Sequence, residues 1–181
     1  NMKQNQSEIL SASILIVDDQ PANVELLAHL LADTGYTRTT CLTNPHEVCA
    51  AHRANPHDLI LLDLKMPGMD GFEVMQALAA DEPGTILPVI VLTAEPGHKL
   101  RALQAGARDF ISKPFEVAEV RTRIHNMLET RLLYKKLAEQ NRMLEQRVLE
   151  RTSELASSES RFRSLTELAS DWYWEQNVTG D

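Results

Sequence analysis

Five short strand-like runs recur in the first 126 residues of this 181-residue chain, each separated from the next by a segment with helical spacing. That alternation limits the fold more than any other feature. Ser13–Val17 (SILIV) is apolar and β-branched, the composition of a buried strand. Pro21 then opens a helical pattern that carries Val24, Leu27, Leu30 and Leu31 and closes at Gly35. Thr37–Leu42 is threonine-rich and reads as a second strand. Asn44 caps a helix with Pro45 at its first position, running to Ala54. Leu59–Leu62 and Leu87–Leu92 (LPVIVL) are further strands, with a helix over Phe72–Ala80 between them. A short helix, Leu100–Ala105, ends at Gly106, Asp109–Ser112 is a fifth strand, and Pro114 marks the start of another helix. Strands that are apolar along their length, each followed by a helix, imply an α/β fold: a doubly wound, five-stranded parallel sheet with helices on both faces.

Residues 1–11 precede this pattern. Asn1 before Met2 reads as a cloning remnant, and the segment as a tag or disordered lead. No apolar run of membrane-spanning length and no secretory leader is visible, so a cytoplasmic protein without a membrane partner is expected. The net charge of −8 argues against nucleic acid as a partner. The acidic excess lies mainly in residues 1–126, with 16 Asp and Glu against 10 Lys and Arg. Cys41 and Cys49 lack metal-site spacing and read as free thiols.

After Pro114 the composition changes. From Phe115 to Thr179 there is no glycine or proline, and Leu, Glu, Arg, Lys and Gln dominate, which favours helix. A heptad frame fits this segment. Met127, Tyr134, Asn141, Val148, Leu155 and Phe162 share one seam position, and Thr130, Leu137, Leu144, Arg151, Ser158 and Leu165 the other. A long helix with an apolar seam is expected to pair as a parallel homodimer, and a polar Asn141 on the seam fixes register and a two-stranded state. The coiled coil is placed at residues 127–160.

In parallel α/β sheets, ligands bind at the carboxyl ends of the strands where strand order reverses. The polar residues at those ends form a set: Asp18 and Asp19 after the first strand, Asp63 after the third, Thr93 after the fourth and Lys113 after the fifth. Three crowded carboxylates repel one another, and a divalent cation relieves that repulsion. Oxygen donors suit Mg²⁺, and the absence of His and Cys from these positions argues against zinc. A carboxylate beside Mg²⁺ can act as a nucleophile towards phosphorus, with Lys113 and Thr93 of the right kind to neutralise the transferring group.

Asp18-Asp19, LILLDLKMPGMDG (59–71), Thr93-Ala94 and DFISKPF (109–115), in this order and spacing, resemble the receiver domain of two-component response regulators, over residues 12–126. The resemblance implies a flavodoxin-like (βα)5 fold. It implies that Asp63 is the phospho-acceptor, supplied by a histidine kinase or histidine phosphotransfer protein. Asp18, Asp19, Asp63 and the backbone carbonyl of Lys65 would hold Mg²⁺. Thr93 and Lys113 would contact the phosphoryl group, the Lys113–Pro114 bond would be cis, and Phe110 would be an aromatic switch beside Thr93. Lys65 and Glu95 are expected to form an ion pair across the mouth of the site.

LEQRVLERTSEL (144–155) resembles signalling-helix linkers, and Phe162–Leu165 with Asp171-Trp172-Tyr173-Trp174 resembles the opening of a PAS sensor domain over 161–181, the aromatic cluster beginning a strand. A phosphorylation-dependent switch passing its state through the coiled coil to a PAS-linked output, a cyclic-di-GMP enzyme or a kinase, is the leading reading. The receiver would then catalyse only its own phosphoryl transfer and dephosphorylation. An Mg²⁺-dependent phosphatase with an aspartate nucleophile, or an inert dimerisation module, are the competing ones.

Overall fold

A computed structural model describes the backbone of residues 2–81, 87–95 and 97–178, with side chains described within residues 6–167. The elements are α1 (Met2–Leu10), β1 (Ser13–Val17), α2 (Pro21–Asp33), β2 (Arg38–Leu42), a 3-10 turn (Pro45–Glu47) leading into α3 (Val48–Ala54), β3 (Leu59–Asp63), α4 (Gly71–Asp81), β4 (Val89–Thr93), α5 (His98–Gln104), β5 (Asp109–Ser112) and α6 (Val117–Val178). The five strands are parallel, in the order β2-β1-β3-β4-β5. The expected doubly wound sheet is therefore the observed one.

Alternation along the strands builds two cores. Ile14, Ile16, Leu59, Leu61, Ile90, Leu92 and Ile111 face α2 and α6, where Leu27, Leu31, Val120 and Ile124 meet them. Leu15, Val17, Ile60, Leu62, Val89 and Val91 face α3, α4 and α5, against Val48, Val74, Met75 and Ala102. Successive side chains point to opposite faces of a strand, so a strand buried on both faces must be apolar throughout. All five residues of β1, β3 and β4 are buried. Each such Leu or Ile contributes roughly 1.5–3 kcal/mol relative to leaving it exposed. β2, with RTTCL, is only partly covered, because it is an edge strand.

Four expectations change. Residues 2–10 are a helix, not a disordered lead: Ile9 is 2% exposed and joins the α2/α6 core, and Leu10 packs beside it. The Asn44–Ala54 helix is split, with Asn44 Oδ1 accepting from His46 N at 3.1 Å to cap the 3-10 turn. α6 begins at Val117 rather than at Pro114, whose bond to Lys113 is cis as expected. The helix also continues through Asp171–Trp174 to Val178, so the strand expected there does not form. The Trp172–Trp174 side chains lie outside the described residues.

The chain divides into a compact unit over 1–133 and a second over 134–181. The second is the continuation of α6. Met127, assigned to the seam, instead packs partly buried against the first unit's core, beside the fully buried Leu128. Further along, Tyr134, Leu137, Leu144, Val148 and Leu155 are all more than half exposed, and Asn141 is exposed with them.

Candidate functional site

The chain leaves β1 for β2 on one side and returns to β3 on the other, so strand order reverses between β1 and β3. That reversal opens the carboxyl edge between Asp18-Asp19 and Asp63. Lys113 reaches it from the end of β5, and Thr93 from the end of β4. A cleft of about 350 Å³ there is lined by Gln20, Asn23, Asp63, Lys65, Thr93, Glu95, His98 and Lys113, among others.

Asp63 is buried, 5% exposed. Its two oxygens have separate partners: Oδ1 accepts from Lys113 Nζ at 2.8 Å, and Oδ2 from the backbone N–H of Lys65 at 3.2 Å. Burial raises the pKa of this carboxyl above its ordinary range; the Lys113 bond and charge oppose that rise, and Asp18 adds to it. Lys113 Nζ also donates to Asp18 Oδ2 at 2.7 Å. Burial works against the lysine's charge, but its bonds to Asp18 and Asp63 outweigh that and its pKa is raised. The lysine is held in place by its own N–H, bonded to the Thr93 carbonyl at 2.8 Å.

Asp18 is fully buried. Its carboxylate accepts from Gln20 N at 2.9 Å and from Asn23 Nδ2 at 3.1 and 3.0 Å, as well as from Lys113. Asp19 differs: its Oδ1 is buried and has no hydrogen-bond partner. One ligand atom from each of Asp18, Asp19 and Asp63 falls within 4.8 Å of the others. An unpartnered buried oxygen beside two more carboxylates, all hard donors, fits a Mg²⁺ ion that keeps part of its water shell. A buried charge without a partner is otherwise costly.

Thr93 is 4% exposed, and its Oγ1 accepts from Glu95 N at 3.1 Å. Lys65 and Glu95 form the ion pair expected at the mouth. The pair raises the Lys65 pKa and lowers that of Glu95, where His98 contributes a smaller effect. Phe110 is partly buried against the α4/α5 core, with Lys99 Nζ 4.7 Å and the Arg123 guanidinium 5.6 Å from its ring centre.

Residues 14–125 match the family model of the response regulator receiver domain. The chain belongs to the receiver family. It is 38% identical to the response regulator PleD of Caulobacter vibrioides over 130 residues, covering 71% of this chain and 28% of PleD. It is 33% identical over 153 residues to RpfG of Xanthomonas campestris pv. campestris, named a cyclic di-GMP phosphodiesterase response regulator, covering 83% of this chain and 40% of that one. Among solved structures, the receiver domain of sensor histidine kinase PA1611 from Pseudomonas aeruginosa, described with magnesium ion coordinated in its active site cleft, aligns with a TM-score of 0.60 at 31% identity, over 65% of this chain and 98% of that one. The chain thus spans well under half the length of the two curated relatives it matches. A receiver is a two-component signalling module, phosphorylated on an aspartate and served by histidine kinases and phosphotransfer proteins.

The receiver's sequence did not disclose every part of the site. Gln20 and Asn23, which fix Asp18, read as ordinary residues at the start of a helix. His98, whose Nε2 lies 3.2 Å from Glu95 Oε2, carries no motif. Two glycines shape the backbone after β3. Gly68 has a φ of +82°, which side-chain-bearing residues rarely adopt. A Cβ on Gly71 would meet the Asp63 carbonyl oxygen at 2.6 Å. Asp70 and Glu73 then cap α4 reciprocally, each side chain accepting from the other's N–H, at 2.8 and 2.9 Å.

Proposed function

We propose that Asp63 is the phospho-acceptor of this receiver, and that the resulting acyl phosphate is reported through α6 to an output carried by the longer protein. The observation that carries this is the set of contacts at Asp63: a carboxylate ending a fully buried strand, with Lys113 on one oxygen, a backbone N–H on the other, and Asp18 and Asp19 beside it.

In the proposed reaction an Asp63 oxygen attacks the phosphorus of a phosphohistidine on a histidine kinase or phosphotransfer protein. The P–N bond breaks, its electron pair leaves on the imidazole, and an acyl phosphate forms on Asp63. Asp18, Asp19, Asp63 and the Lys65 carbonyl would hold Mg²⁺, which when bound supplies positive charge to the transferring oxygens. Lys113, freed in part from Asp63, moves its charge to a phosphoryl oxygen, and Thr93 offers its hydroxyl to another. Phe110 is the aromatic that follows Thr93. Lys65 and Glu95 restrict the water that later attacks phosphorus and returns Asp63 and inorganic phosphate.

The exposed seam of α6 (Tyr134, Leu137, Asn141, Leu144, Val148, Leu155) supports a parallel coiled-coil dimer as the transmitting element. The name of RpfG supports a cyclic-di-GMP output, through a PAS domain that begins near Arg161. A cytoplasmic setting is part of the same reading; among the described residues no helix is long and apolar enough to cross a membrane.

The test is incubation of the full chain with Mg²⁺ and acetyl phosphate, followed by intact mass and site mapping. One added phosphoryl group on Asp63, absent from Asp63→Asn and after chelation, is the expected result. Turnover of added phosphoesters would favour the phosphatase, and absence of any adduct the inert module.

A further inference from the structure

The two oxygens of Glu95 have different partners. Oε1 takes the ammonium of Lys65, from the loop after the acceptor strand. Oε2 takes His98 Nε2 at 3.2 Å, from the first turn of α5. These partners are unequal as anchors. The Lys65 side chain is 81% exposed and hangs from a loop, so it holds Glu95 only weakly against its own freedom and solvent screening. His98 is 34% exposed and has two further restraints. Its backbone N–H donates to the Glu95 carbonyl at 3.2 Å. Its ring stands edge-on to Phe72, with centroids 6.2 Å apart and planes at 80°. Phe72 is itself 8% exposed, rooted in the core beneath α4, and capped by the Arg101 guanidinium at 4.2 Å. An edge-on ring pair at this spacing is a favourable and directional contact.

The result is a continuous chain of contacts from the buried Phe72, through His98 and Glu95, to Lys65. Its last two members line the cleft that holds Asp63, Thr93 and Lys113, and so does His98. Lys65 also supplies the N–H bound to Asp63 Oδ2, so the residue that closes the mouth is one step from the group that reacts.

We propose that His98 is a positioning residue for loss of the phosphoryl group: it fixes the Glu95 carboxylate so that the Lys65–Glu95 pair stays closed over the cleft and limits the approach of hydrolytic water. This rests on Asp63 being the acceptor. Removing His98 leaves Glu95 held only by a mobile lysine. The pair then opens more often, and water reaches phosphorus more often. The role needs only an N–H donor at this position, so a donor of similar reach substitutes for the imidazole.

The test uses the full chain, phosphorylated with acetyl phosphate and Mg²⁺, freed of donor and followed by intact mass as the adduct decays. His98→Ala is expected to shorten the lifetime about five-fold, the loss of one hydrogen bond of ordinary net strength. His98→Gln, which restores a donor, should return it to within about two-fold of the parent. Glu95→Ala should match His98→Ala, and the double variant should be no faster than either single one, because both break the same contact. An unchanged lifetime in His98→Ala, no rescue by Gln, or multiplied effects in the double variant would overturn the proposal while leaving Asp63 as acceptor. A parent chain that takes no adduct, or takes it at a residue other than Asp63, would overturn the acceptor assignment and this inference with it.

Discussion

A methyl group placed on Gly71 would stand 2.6 Å from the carbonyl oxygen of Asp63, and 2.9 Å from the Cα of Leu64. Both are backbone atoms at the end of β3, so neither can swing aside. Gly71→Ala is therefore expected to destabilise the receiver by about 1–3 kcal/mol, the usual cost of forcing extra volume into a packed site. It should also slow phosphorylation of Asp63, since relief must come from moving that strand end. Thermal unfolding and acetyl phosphate labelling read the two effects. A melting temperature equal to the parent's would refute the steric argument.

Asp63→Asn should raise stability at neutral pH in the absence of divalent ions. The folded-state pKa of Asp63 is raised, chiefly by burial. The folded chain therefore binds this proton more tightly than the unfolded chain, so ionising the group costs stability. That cost is absent below the ordinary carboxylate range near pH 4 and grows as pH rises through it. Urea midpoints of parent and variant in chelator should diverge as pH rises from about 3 to 7, and added Mg²⁺ should narrow the gap by stabilising the parent.

Lys113→Met has the opposite sign. It leaves Asp18 and Asp63 buried without their shared cation, which is expected to cost about 3 kcal/mol or more without metal. Mg²⁺ should recover part of that loss. A variant as stable as the parent in chelator would mean that the lysine contacts at 2.7 and 2.8 Å contribute nothing to the fold.

His57 sets a separate pH dependence, away from the site. It is 2% exposed, its N–H donates to His52 Nδ1 at 3.2 Å, and its Nε2 lies 3.2 Å from Thr40 Oγ1. Burial first, and His52 second, push its pKa down to about 4. An unfolded histidine protonates near pH 6.5. Between those values the unfolded chain binds more protons, so stability is whole above about 6.5 and falls as pH drops towards 4, by roughly 3 kcal/mol at most. Urea unfolding of His57→Gln should lose that part of the slope; an unchanged slope would rule His57 out as its source.

Asn141→Leu should tighten or alter the oligomer, because a polar seam residue exchanges stability for register. Light scattering that found a monomer for both parent and variant would refute the coiled-coil dimer.

The site was legible where a strand end carries a polar residue against an apolar run, as at Asp63, Thr93 and Lys113. Periodicity gives the face and the end of such a strand, and parallel topology brings those ends to one edge. Asn23 was not legible, since a polar residue in the first turn of a helix usually faces water, and only the fold turns it towards Asp18. His98 lies on another element from Lys65, and its link to the cleft runs through Glu95. Ile9 was hidden by its setting: MKQNQSEIL has few apolar residues, and what buries Ile9 is the packing of distant helices. At Asp171–Trp174, three aromatics suggest a strand, but strand propensity depends strongly on context, and the backbone there is helical.

Ile9 and Leu128 lie outside the family match, one beyond each end, yet both are buried in the same core. A graft cut at those borders would strip a layer from the molecule at both ends at once, and would take the root of α6 away from the core that buries it. Chimeras of this receiver therefore need their joints placed before Met2 and after Leu133, where a change of partner leaves that shared layer whole.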